Sequence, residues 1–330
     1  MKEALFYKKL ESGKVQCVLC PHNCSIATGK TGICRQRKNV NGSLYTLIYG
    51  NATSVAMDPI EKKPLYHFFP GSQILSLGTN GCNFSCPFCQ NWHISQENAD
   101  TEPVSPEQAV ALAENHHSVG IAYTYNEPFI WYEFVLKTAR LASAHGLKNV
   151  LVSNGYVNPE PLRQLLPYIH ALNIDLKSID EVFYKRLCKA KLAPVLETCQ
   201  TASKTALVEI TNLIIPGEND SERNINDLSK WVSENLGRHT PVHFSAYHPD
   251  YQMDNPSTPA KSLESAYETA RKYLDYVYVG NASVKTGNDT LCVKCGSTLI
   301  ARKGYSITIQ DMSKNGCCAK CGTDNHVIST

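Results

Sequence analysis

Cys82, Cys86 and Cys89 put three thiols within eight residues, in the run Gly81-Cys-Asn-Phe-Ser-Cys-Pro-Phe-Cys89, and so offer a metal three sulfurs. A structural zinc takes four protein ligands, and an electron-transfer [4Fe-4S] cluster takes four cysteines. Three on one short loop therefore predict a cluster with one iron left open to a ligand that takes part in chemistry. A zinc knuckle borrowing a distant His or Cys is the competing arrangement.

Two further sets flank this triad. Cys292-x2-Cys295-Gly and Cys318-x2-Cys321-Gly are knuckles separated by 22 residues, the spacing of a zinc ribbon, with a β-hairpin pattern between them through Thr298–Ile300 and Tyr305–Ile309. So small a region depends on metal to fold. Either Cys317 or Cys318 could face the ion, and a disulfide or an auxiliary Fe-S cluster is the alternative to zinc. Cys17, Cys20, Cys24 and Cys34 supply four thiolates, enough for zinc or for a complete second Fe-S cluster. Few apolar residues adjoin them in sequence, which favours zinc as the organising ion. His22 and His93 read as ordinary polar contacts, and Cys188 and Cys199 as buried thiols.

The chain that positions these sets has 330 residues, 42% hydrophobic and 19% charged, with a formal charge of +2. That balance suits a soluble globular protein and gives no electrostatic reason to expect nucleic acid. No apolar run reaches the roughly 18 residues of a membrane span, and the charged start is no secretory signal. Fourteen cysteines, mostly in metal-type spacings, fit a reducing cytoplasm better than a disulfide framework.

Short β-type runs at 74–77, 120–123, 149–152, 171–174, 207–213 and 242–246, with a further one at 276–279, alternate with helical stretches. Ser105-Pro106-Glu107-Gln108 is a capping box, and helices start near Pro128, Asn158, Ser178, Asn219 and Ser262. Six strand-helix units predict an α/β fold, a partial (β/α)6 TIM-like barrel. The expected divisions are an N-terminal Cys-rich region (1–70), the barrel (71–284) and a zinc-ribbon-like region (285–330).

In such folds the active site collects after the strands. The strand ends here lead into the cysteine triad, Thr124-Tyr125-Asn126-Glu127-Pro128, Ser153-Asn154-Gly155, Asp175-Leu176-Lys177, Pro216-Gly217-Glu218 and Tyr247-His248-Pro249. Each alone could be a cap, a turn or a surface ion pair; together, beside three cysteines, they read as one site. Cys-x3-Cys-x2-Cys, with Phe88 before the last Cys, resembles the signature of the radical S-adenosylmethionine (SAM) enzymes. The strand-end elements resemble the pyruvate formate-lyase activating enzyme group. The opening Cys17-x2-Cys20-Pro-His22, Gly29-Lys-Thr-Gly32-x-Cys34, Tyr123–Pro128 and the closing knuckles look like the AmmeMemoRadiSam-system type.

The resemblance implies a [4Fe-4S] cluster on Cys82, Cys86 and Cys89, with SAM on the open iron. It implies cofactor contacts from Phe88, Asn126, Glu127, Asn154, Asp175, Lys177, Gly217 and His248. Glu127 matches the Glu that holds the methionyl amino group, though Tyr125-Asn126 stand where the family has two glycines. Asn154 matches the Asn of a Thr-Asn-Gly element; Val152 replaces an Asp there, which leaves the family's cation site missing or rebuilt. The implied activity is reductive SAM cleavage and hydrogen abstraction, fed by an electron donor such as flavodoxin or ferredoxin. A protein glycine, a small molecule and an RNA base remain open as targets. The reading from another class is a non-catalytic zinc-binding adaptor. The charged run Asp58–Pro64, just before the barrel, reads as an exposed linker, with a substrate-facing segment as the alternative.

Overall fold

The apolar runs pair side by side in chain order in the computed structural model, which describes residues 1–329. β1 (Ser54–Pro59) lies antiparallel on β2 (Gln73–Gly78), with Ser54 opposite Gly78 and Pro59 opposite Gln73. β3 (Gly120–Tyr123), β4 (Lys148–Ser153), β5 (Ala171–Asp175), β6 (Leu207–Ile214), β7 (Val242–Ala246) and β8 (Val277–Gly280) then add in parallel. The result is an α/β fold on a mostly parallel, eight-stranded sheet. β1 falls inside the stretch read as the N-terminal region, so the sheet begins before residue 71.

Parallel neighbours need crossovers, and helices fill them: Pro106–Asn115, Tyr132–Ala144, Pro159–Leu165, Ala193–Ala202, Glu222–Asn235 and Ala260–Ala270. The expected capping box forms, Ser105 Oγ accepting from the Gln108 N–H at 3.1 Å while Gln108 Oε1 accepts from the Ser105 N–H at 2.8 Å. The helix expected from Pro128 opens with a 3-10 turn, Pro128–Trp131, and the one placed near Ser262 starts at Ala260.

Strand side chains alternate between two faces. Leu75, Ile121, Leu151, Leu172 and Ile210 share the large core with the helices, whereas Ile74, Ala122, Val150 and Ala171 pack against Ile60, Leu65 and Phe68. The segment 60–68 therefore lies on the inner face of the sheet, near the start of the strands. Its backbone is held by inward polar side chains. Asn173 Nδ2 donates to Pro64 O at 2.7 Å, and Glu209 accepts from the N–H groups of Tyr66 (3.0 Å) and His67 (2.7 Å). Asp58, Glu61 and Lys63 are 5%, 3% and 1% exposed, so the expected exposed linker is a buried strap. Asp58 pairs with Lys63 at 2.7 Å, which is what lets these charges leave water.

The closing region is a three-stranded antiparallel ribbon, Thr290–Leu291, Thr298–Lys303 and Ser306–Ile309, around a small core of Cys292, Leu299, Ile300, Cys318 and Val327. It docks on the strap: Arg302 donates to Tyr66 O at 2.8 Å, and Ile328 exchanges backbone hydrogen bonds with His67 and Phe69. Among the described residues no helix is long and apolar enough to cross a membrane.

Candidate active site

The loop after β2 carries the cysteine triad and is pinned on two sides. Asn126, after β3, accepts from the Thr79 N–H at 3.1 Å and donates to Gly81 O at 2.9 Å. Asn154, after β4, donates to Asn83 Oδ1 at 2.8 Å and approaches Cys82 Sγ at 3.6 Å. Asn83 in turn donates to Tyr156 O at 2.8 Å. Amides suit this task because each has donors and an acceptor, so one side chain can bridge two backbone segments.

The Asn126 geometry depends on its neighbour. Tyr125 takes φ 72°, the left-handed region that a glycine occupies freely, and its ring lies under the Lys63 ammonium at 4.4 Å. Gly78 makes room, since a Cβ there would stand 2.9 Å from the Tyr125 ring. A strained tyrosine and a clamping asparagine thus stand where the motif that this loop resembles has two glycines.

Cys82, Cys86 and Cys89 line one cavity of about 840 Å³ together with Phe88, Asn126, Glu127, Asn154, Asp175 and Lys177. Three sulfurs from one loop, facing a space that large, fit a cluster with one iron presented to a ligand. The thiol of Cys86 is pushed well up, first by the buried thiol of Cys188 beside it and then by burial; that of Cys82 is pushed well up by burial and by Glu127. Such thiols ionise only with a cation at the sulfur, as metal ligands do. Cys188 and Cys199 are buried as expected.

Glu127 is 2% exposed and caps the 3-10 turn, its Oε1 accepting from the Phe129 N–H at 3.0 Å and Ser153 Oγ at 2.8 Å. Its Oε2 accepts from the Asn154 N–H at 2.8 Å, which leaves that oxygen further capacity. Burial raises its pKa to about 7 against these hydrogen bonds. Lys177 Nζ pairs with Asp175 at 2.7 Å; burial alone would lower the Lys177 pKa, but Asp175 and Cys86 raise it. An ammonium stays charged beside the cysteine loop.

Two expected contacts lie outside the cavity lining. Gly217, at φ 78°, serves a turn in which its N–H donates to Asp220 at 3.0 Å. His248 is exposed and lies two residues past the end of β7, outside the strand that turns His243 and Ser245 inward. Thr211, His243 and Ser245 line the cavity instead, and strand parity was the signal that could have found them. Glu61 and Lys63 from the strap line it as well, as the substrate-facing alternative for that charged run expected; Tyr66 from the strap and Arg302 and Tyr305 from the ribbon line it too, and nothing in the sequence marked those three.

At the ribbon, the sulfurs of Cys292, Cys295, Cys318 and Cys321 all lie within 4.8 Å of one another, the one such group of three or more among the described residues. Cys318 is the member of the Cys317–Cys318 pair that faces the site, while Cys317 bridges to Asp324 along the backbone. The N-terminal four, Cys17, Cys20, Cys24 and Cys34, share a separate small cavity. Its walls correct the expectation of few apolar neighbours: Leu19, Ile26 and Ile130 are each at most 2% exposed. Leu19 and Ile26 stand beside Cys20 and Cys24 in the sequence itself, and folding adds Ile130.

A family profile described as the radical SAM superfamily matches residues 76–228. The chain is 45% identical, over 99% of its length and 100% of the relative's, to the uncharacterized protein MJ0808 of Methanocaldococcus jannaschii. It is 27% identical to the (2S)-3-sulfopropanediol dehydratase activating enzyme of Klebsiella oxytoca, over 36% of this chain and 38% of that one. Among solved structures, a radical SAM methyltransferase from Sphaerobacter thermophilus shares the fold at 15% identity and a TM-score of 0.50, covering 65% of this chain and 68% of its own.

Proposed function

The chain belongs to the radical SAM superfamily, and from that premise we propose that it is an enzyme that cleaves SAM reductively and abstracts hydrogen from a substrate. The observation that carries this reading is the shared cavity, where three cysteines of one loop meet Glu127, Asn154, Asp175 and Lys177. Bound there, a [4Fe-4S] cluster and SAM supply a one-electron cleavage of the sulfonium and, with it, a hydrogen-abstracting radical.

The protein's own groups bind and orient. Cys82, Cys86 and Cys89 ligate three irons. Glu127 Oε2 would accept an N–H of the methionyl amino group, and the Lys177 ammonium would attract the methionyl carboxylate. Phe88 offers an apolar face, and Asn126 and Asn154 fix the loop that carries the sulfurs. The ribbon takes zinc on Cys292, Cys295, Cys318 and Cys321, and a low-potential flavodoxin or ferredoxin in a reducing cytoplasm supplies electrons.

Likeness to an activating enzyme supports a glycyl-radical type of target, a glycine in another protein. A small-molecule target is the second reading, favoured by the cavity's extension beyond the SAM contacts to Tyr66, His243 and Arg302. The test of the activity is anaerobic reconstitution with iron and sulfide, then reductant and SAM, reading 5′-deoxyadenosine. Wild type forms it; Cys86→Ala forms none and keeps its zinc. A triad without sulfide, or cleavage retained in Cys86→Ala, overturns the proposal.

A further inference from the structure

Cys17, Cys20, Cys24 and Cys34 come from a small antiparallel sheet, Tyr7–Lys9, Val15–Cys17 and Ser25–Ile26, and the turns that follow its strands. The four line one cavity with Leu19, Ile130 and Arg37. Cys17 and Cys34 are buried and the other two half-buried.

Sulfur spacing separates the two centres such a set can hold. A tetrahedral zinc with bonds of about 2.3 Å brings its sulfurs to about 3.8 Å from one another. The ribbon has that geometry, with Cys292 and Cys321 at 3.5 Å and Cys295 and Cys318 at 3.6 Å. A cubane gives each thiolate its own iron and spreads the sulfurs by the width of the cluster. Among the described residues the ribbon sulfurs are the one group gathered within 4.8 Å, so no three of the N-terminal four are that close. Nor are the three triad sulfurs gathered within that distance.

Arg37 is a second observation. It is 1% exposed, its Nη1 donates to Cys17 Sγ at 3.7 Å, and its other terminal nitrogen is hydrogen-bonded to Glu133. Its Nε has no partner among the described residues. A buried guanidinium against one thiol, with a donor unused, suits an anionic tetrathiolate centre of either kind and so marks the four as a ligand set; the sulfur spacing is what separates cluster from zinc.

We infer that Cys17, Cys20, Cys24 and Cys34 ligate a second [4Fe-4S] cluster and not a zinc ion. With every iron held by protein, this centre transfers electrons and leaves no iron for SAM. Its loop abuts the triad loop: His22 Nε2 lies 2.8 Å from Asn83 O, next to Cys82. The inference does not depend on the chemistry proposed for the triad.

The decisive protein is the full chain carrying Cys82→Ser, Cys86→Ser and Cys89→Ser, reconstituted without oxygen. Expected are about four irons and about four sulfides per chain, with a reduced-cluster EPR signal that SAM leaves unchanged. About two zinc ions and no sulfide per chain would overturn the inference. If that variant does not fold, wild type decides, with about eight irons and one zinc against about four irons and two zincs. A chain with Cys17→Ser and Cys20→Ser reports on the triad by itself: loss of its SAM-sensitive signal there, with iron retained in the first variant, indicts the proposed function and spares the second cluster.

Discussion

The hydroxyl of Tyr125 is hydrogen-bonded to the carboxylate of Asp58, tying the loop after β3 to the edge strand β1. Burial would raise the Asp58 pKa, yet Lys62, Lys63 and Tyr125 together hold it well below the usual carboxylate range. The bond fixes a tyrosine in a left-handed backbone, and that backbone aims Asn126 at the cysteine loop.

Asp58→Asn removes the counter-charge of Lys63, which is 1% exposed. Stranding a buried ammonium costs about 3–5 kcal/mol. Thermal unfolding should show a large fall in Tm, and Lys63→Met on the same background should restore part of it. An unchanged Tm in Asp58→Asn would remove the strap from the account of stability.

Glu127, with a pKa of about 7, gives SAM binding a pH dependence. The carboxylate form of Glu127 accepts the amino N–H, so below that pKa binding must release the Glu127 proton. The Glu127 contribution to affinity therefore rises from about pH 6 to about pH 8. Calorimetry in buffers of different ionisation enthalpy reads the released proton. Glu127→Gln should bind roughly tenfold to a hundredfold more weakly, the equivalent of a charged hydrogen bond of about 1.5–3 kcal/mol, with the slope abolished. A slope that survives the substitution assigns the proton elsewhere.

The ribbon separates two adjacent cysteines. Cys318→Ser should lose the zinc and unfold the ribbon, whose core contains Cys318 itself, while Cys317→Ser keeps a full complement. Zinc released to a colorimetric chelator checks both, and equal loss in the two variants contradicts the assignment.

Arg302 fastens the ribbon to the strap, bonding Tyr66 O at 2.8 Å and Thr290 Oγ1 at 2.7 Å, with its guanidinium 4.2 Å over the Tyr66 ring. Arg302→Met keeps the stem and discards the donors, and should destabilise by about 2–4 kcal/mol. Hydrogen exchange should quicken at Tyr66–Phe69 while the zinc count holds. No change at those amides would mean that the ribbon docks by other contacts.

Strands that are apolar on both faces announced themselves, which is why the runs from Gln73–Gly78 to Val277–Gly280 were legible. Ser54–Pro59 was not, being an edge strand with two polar residues and a proline, specified by pairing with β2 and not by its own pattern. The triad and most strand-end residues could be read from spacing, because loops after parallel strands converge. His248 could not, since it follows the strand by two residues, where no alternation fixes which way a side chain faces. The ribbon's share of the cavity was hidden for another reason: Arg302 meets Tyr66 across 236 positions, and no local signal spans that distance.

Arg302 and Tyr305 make the ribbon part of the chamber wall. The zinc proposed for the ribbon has no redox chemistry, so a wall fastened by it would not respond to the electron count of the cluster proposed opposite. One side of such a chamber could gain and lose electrons while the other stayed mechanically indifferent.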